Sequence, residues 1–260
     1  MECNEQPTVR FRYVTLPMFK GEIYRMEEYL KQYQNINKQF GKIIGESLQG
    51  ANLRIHAKAA SFIEDYEAWI KLNDGAYEIC IYKEALSQYK AMLLFWNMGL
   101  YKYSFMALRG YFELTLFGIQ LSASELNYRL WKQSEMDLYW SQIVDPDNGI
   151  FSAKFVRAFQ PSFVENAKSM LVIAKNVYRE CSEFIHSNYS TVDFLPEATR
   201  FSQDVFDCIA SKAETINQVI SFMFTVRYLE KLICENKLEE YENCIMDNIG
   251  FIPCISEVYK

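Results

Sequence analysis

The stretch that most constrains this chain is AMLLFWNMGLYKYSFMALRGYFELTLFGIQL, residues 91–121. It is far longer than a strand, and Asn97, Lys102, Arg109 and Glu113 interrupt an otherwise apolar run. With those interruptions no clean run of about 18 apolar residues exists, so no membrane span is expected. The stretch belongs in a protein core, as two buried helices punctuated at Gly99. Composition agrees where it matters. Ten Gly and six Pro in 260 residues are too few for the turns of a sandwich or barrel. Half the residues are hydrophobic, which supplies a sizeable core and excludes disorder. The expected fold class is all-α, a multi-helix bundle.

Apolar periodicity and breaker residues divide the chain further. Residues 8–17, TVRFRYVTLP, read as an extended arm ending at Pro17. Helices are expected over about 18–48, with Gly41 and Gly45 weakening the second half, and over 52–72, closed by Asn73-Asp74-Gly75. Two more follow at 77–98 and 101–121, the latter expected at the centre of the bundle. Ser122-Ala123-Ser124-Glu125 resembles a capping signal and starts a short helix through Trp131, and 131–152 reads as an irregular crossover with a turn at Asp145-Pro146-Asp147-Asn148-Gly149. A long helix after Pro161 runs to about 187, a loop covers 188–202, and a final long helix covers 203–236. Three regions result: an arm and appended helical hairpin over 1–75, a bundle over 76–235, and a tail over 236–260 packed on that bundle.

Charge and chemistry narrow the function classes. The net charge of −6 argues against broad, non-specific nucleic-acid binding but leaves room for a local basic patch. The seven cysteines are scattered without a CxxC and the first residues show no secretory pattern, so reduced thiols in a cytoplasmic protein are expected. Two histidines and no paired-cysteine spacing make a zinc site unexpected, and no phosphate-binding glycine loop occurs. Neither a metal nor another cofactor is expected.

The candidate chemistry lies in VYRECSEFIHSNY, late in the helix after Pro161. Arg179 and His186 are seven positions apart, close to two helical turns, so both project from one face; Ser182 and Glu183 lie on or near it. A fixed cation beside a group that titrates near neutrality suits cleavage of a phosphoryl ester. In RNA the ribose 2′-hydroxyl is the nucleophile, so no metal is required. An Arg, a polar residue and a following His, late in a long helix of an all-helical chain, resemble the motif of HEPN domains. Many HEPN proteins are metal-independent ribonucleases that act as dimers in toxin–antitoxin and phage-defence systems. Others lack activity and serve as binding or scaffold modules.

The resemblance implies a HEPN-like core over roughly 76–235 with an N-terminal helical extension. It implies that Arg179 and His186 are catalytic, that Glu180 is the polar position after the Arg, and that RNA, a second copy of the chain and an antitoxin or other protein are partners. The Tyr that follows the His by two residues in some members is not matched here, because Ser187 and Asn188 precede Tyr189. It also implies an acidic residue on an earlier helix that orients the Arg, and Glu113 is the candidate. Arg109 and Glu113 sit four apart on the most apolar helix, where unpaired charge is costly. They form either an intrahelical pair or a polar centre supporting Arg179 and His186.

Three classes stay open: the ribonuclease, a helical binding module without catalysis, and a small-molecule regulator using the Arg109/Glu113 centre. In the structural alternative Arg179 pairs with an acidic neighbour and His186 caps its helix. His56 is expected at a surface or boundary. Cys181, five positions from His186, faces elsewhere and forms no thiolate–imidazole pair. Trp131 and Trp140 are expected to pin the crossover to the bundle.

Overall fold

The computed structural model describes residues 20–186 and 188–259. The arm expected over 8–17 lies outside the described residues. All regular structure among the described residues is helical, with no strand, so the chain is an all-α protein. It divides into two compact units, residues 1–41 and 42–260.

The first unit holds most of α1 (Lys20–Ser47), which runs unbroken through Gly41 and Gly45. Along it Met26, Tyr29, Leu30, Tyr33 and Ile36 recur at spacings of three and four residues and are exposed.

The second unit is a helical bundle. After the last turns of α1 come α2 (Ala51–Leu72), α3 (Ile79–Asn97) and α4 (Tyr101–Ser122). Short α5 (Glu125–Lys132), α6 (Trp140–Ile143) and α7 (Ala153–Phe159) lead to α8 (Val164–Ile185). Then follow α9 (Tyr189–Phe194), α10 (Gln203–Cys234), α11 (Glu242–Ile249) and α12 (Pro253–Ser256). Helices α3 and α4 form a hairpin. Its turn contains Gly99 at φ 70°, where an added Cβ would also press on the Arg200 carbonyl at 3.0 Å. The hairpin closes tightly because Gly118 lies under the Tyr82 ring; a Cβ there would overlap that ring.

Burial departs from expectation in two places. The longest helix and the one with most buried residues is α10, so α4 shares the centre instead of holding it alone. From Val219 to Val226 no residue of α10 is exposed, because α2, α4, α7, α8 and α11 surround it. Helix α2, expected in an appended hairpin over 1–75, belongs to the bundle: its Phe62, Tyr66 and Trp69 are core residues, and Trp69 stacks on Phe224 of α10 at 5.3 Å. The compact unit therefore begins at residue 42, not 76. The C-terminal segment packs on α10 through α11.

Caps and crossover follow local chemistry. Ser124 accepts from the Asn127 N–H and Ser152 from the Phe155 N–H, starting α5 and α7. The crossover contains the short helix α6, the segment between it and Pro161 contains α7, and the loop at 188–202 contains α9, none of which periodicity revealed. They are four to seven residues long, too short to display a repeat, and are held by packing. Trp140 does pin the crossover, stacking on Tyr178 of α8 at 3.8 Å and lying against Phe112.

Candidate functional site

The site is built where α4 and α8 pack. On α8 the buried residues Ala167, Met170, Ala174, Val177, Cys181 and Phe184 alternate spacings of three and four, a single apolar stripe. That stripe fixes the rotation of the helix, and Phe184 stacks on Phe105 of α4 at 3.8 Å. With the stripe inward, Tyr178 and Ser182 reach the edge of the interface, and Arg179 and His186 project from the flank beside it.

At the edge, Arg109 and Glu113 form the expected i,i+4 ion pair, 3.1 Å long, with side chains 20% and 25% exposed. They also face α8, but the residue they hold is Tyr178. The Arg109 Nη2 donates to the Tyr178 hydroxyl, which in turn donates to Glu113 Oε1 at 2.8 Å. The guanidinium also stands 4.6 Å from the Tyr178 ring centre. Burial, and then the hydrogen bond and charge of Glu113, push the Tyr178 phenol up to about 12, so at neutral pH it is a proton donor. The expected support of Arg179 by Glu113 is thus corrected: the carboxylate is engaged with Arg109 and Tyr178. The reason is phase, since Tyr178 faces α4 and Arg179, 100° further round, does not.

Arg179 is exposed and lies 3.9 Å from Glu183, a loose pair one turn on. Glu180 points the other way and binds Lys212 of α10. Ser182 donates to the Tyr178 carbonyl at 2.7 Å. His186 stands at the C-cap of α8, its backbone N–H donating to the Ser182 carbonyl at 2.9 Å. Its ring is exposed and has no hydrogen-bond partner among the described residues. Near the end of α8 the Glu183 carbonyl accepts from the Thr191 hydroxyl and from the Asn188 N–H. Arg179 and His186 therefore share an open flank, while Glu180, Glu113 and Arg109 are committed to other partners.

The flank carries more positive charge than the motif alone. Lys168, Lys175, Arg179 and His186 are seven, four and seven positions apart, and all are exposed. Such spacing aligns them along one side of α8. Lys168 is tied to Glu165 at 2.9 Å. Sequence reasoning missed this stripe and also Tyr178; the four-residue spacing of Tyr178, Ser182 and His186 was its available signal.

Cys181 is buried and its thiol is pushed up to about 12 by burial, so it offers no thiolate. Among the described residues no three His, Cys, Asp or Glu side chains converge as metal ligands would. No described helix is long and apolar enough to cross a membrane. No family model, curated protein or solved structure matches the chain.

Proposed function

We propose that the chain is a HEPN-type ribonuclease that cleaves RNA at the open flank of α8 without a metal. The observation that carries this reading is the basic line of Lys168, Lys175, Arg179 and His186, exposed along one side of one helix. The lysines hold the phosphate backbone and Arg179 meets the charge that builds on the phosphorus oxygens. His186 takes the proton of the ribose 2′-hydroxyl as its oxygen bonds to phosphorus. The 5′ oxygen leaves and takes a proton from the equivalent imidazole of a second copy in a two-fold dimer. The ends are a 2′,3′-cyclic phosphate and a 5′-hydroxyl. The Arg109–Glu113–Tyr178 cluster fixes α4 against α8 and so keeps the flank rigid. A role against phage, held in check by an antitoxin-like protein, belongs to this reading.

The test is incubation of purified protein with total RNA, with and without EDTA. Cleavage should survive EDTA and fall about 10²–10⁴-fold in His186→Ala with the fold retained. Arg179→Ala should lose activity comparably, and the double variant should be little worse than either single one. Undiminished cleavage in His186→Ala would remove this site from the reaction.

One observation favours a second reading, a helical binding module without catalysis: Glu183 lies beside Arg179 and lowers the positive charge available to a phosphate. RNA bound but left intact by wild-type protein would select it.

A further inference from the structure

The exposed apolar side chains of α1 fall into a seven-residue repeat. Met26, Leu30, Tyr33, Asn37 and Phe40 alternate steps of four and three, the spacing that places the first and fourth positions of each repeat, a and d, on one seam. Leu30 and Asn37 take the a positions; Met26, Tyr33 and Phe40 take the d positions. Tyr29 and Ile36, each just before an a residue, widen the seam on one side. Met26, Tyr29, Leu30, Tyr33 and Ile36 are between 43% and 66% exposed. With about half of roughly 150–250 Å² uncovered on each, they present about 500 Å² per copy and about 1,000 Å² for a facing pair. A specific interface needs about that much.

Asn37 identifies the occupant. It is exposed on the seam between Tyr33 and Phe40, at a position that purely apolar contact would give to Leu or Ile. Its amide both donates and accepts, so its natural complement is a second amide. A parallel, in-register copy of α1 supplies one, because there each a residue meets its own counterpart; an antiparallel copy sets a different residue opposite. The two-fold axis of the parallel pair runs along the seam, so the assembly closes at two copies. A lipid surface is a poorer match. From 25 to 38 the charges are Arg25, Lys31 and Lys38 against Glu27 and Glu28, close to neutral, whereas a lipid-binding helix carries a cationic excess.

We propose that α1 of one copy pairs with α1 of a second copy as a parallel, in-register two-helix coil, Leu30 against Leu30 and Asn37 against Asn37. The apolar positions supply the area, and Asn37 fixes the register and the number of chains at some cost in affinity. This helix precedes the stretch that resembles HEPN domains, and its pairing stands whether or not the flank of α8 cuts RNA.

The test is sedimentation equilibrium of the full chain at micromolar concentration and about 150 mM salt, where loose surface attraction is screened. A dimer is expected. Leu30→Glu should weaken it about ten-fold or more, whereas Asn35→Glu, on the exposed side away from the seam, should leave it intact. Thermal melts followed by circular dichroism show that each variant keeps the bundle. Asn37→Lys and Asn37→Glu should each weaken association alone, and their equimolar mixture should recover it, because in-register pairing brings the two charges together. Asn37→Leu should tighten association and admit assemblies larger than two. A monomeric wild type would overturn the proposal, and its binding to vesicles of anionic lipid would assign the face to a membrane instead. A dimer undiminished in folded Leu30→Glu would overturn it by placing self-association on another surface. A Lys and Glu mixture no tighter than either variant alone would overturn the parallel register. No RNA is present in this assay, so its result is separate from that for RNA cleavage.

Discussion

Helix α4 carries two polar clusters that differ in kind. On one side Tyr111 and Thr115 join a chain of neutral groups. The Tyr66 and Thr115 hydroxyls meet at 2.8 Å, Thr115 donates to the Tyr111 carbonyl, and Tyr111 donates to Asn217. On the other side Arg109 and Glu113, each two positions earlier, form a charged cluster with Tyr178. Residues two apart on a helix face different directions. The first cluster is sealed in the core and the second sits at its edge. The difference shows burial selecting the chemistry: the hydroxyls and the amide of the inner cluster are tolerated because they bond one another, whereas the full charges at the edge keep some contact with water.

The largest expected effect is in the sealed cluster. Asn217→Leu removes the acceptor of a fully buried Tyr111 hydroxyl and should destabilise the protein by about 3 kcal/mol in denaturant unfolding. A midpoint equal to wild type would mean that water reaches this cluster, and the contrast with the edge would fail. At the edge, Glu113→Gln keeps an acceptor for the Tyr178 hydroxyl and loses only the charge on Arg109, so about 1 kcal/mol is expected. A cost as large as that of Asn217→Leu would place Glu113 in the core after all.

Alkaline titration separates the clusters by degree. A tyrosine whose folded pKa is raised contributes stability that is intact below its unfolded value of 10 and is lost as pH climbs past the folded one. Tyr178 should titrate toward about 12, whereas complete burial raises Tyr66 and Tyr111 well above the ordinary tyrosine value. Ultraviolet titration of Tyr178→Phe should therefore lose one early phenolate signal, leaving the late transition that coincides with unfolding. If the early signal persists, the assignment to the edge is wrong.

The smallest effect concerns His56, another boundary group. Its ring contacts Asn97 at 2.8 Å and the Leu93 carbonyl at 3.3 Å, and burial, partly opposed by the latter contact, lowers its pKa below the ordinary histidine value. The unfolded chain then binds the proton more readily, so stability present above about pH 6.5 should decline as pH falls below it. His56→Gln should flatten that slope in melting curves, and an unchanged slope would show that the ring is charged in the folded state.

The sequence by itself determined the class of fold and most long helices. Periodicity over twenty or more residues, as in α4, α8 and α10, is a signal that only a helix explains, and Gly99 and Asn73-Asp74-Gly75 marked real ends. It also located Arg109 and Glu113 as a pair, because charge in so apolar a helix needs a partner. Tertiary structure decided what the pair touches. Tyr178, Trp140 and Asn217 reach their partners only through packing between helices far apart in sequence, and no local pattern encodes such distances. It also decided that α2 belongs to the bundle, since an amphipathic helix declares an apolar face but not the helix that will cover it.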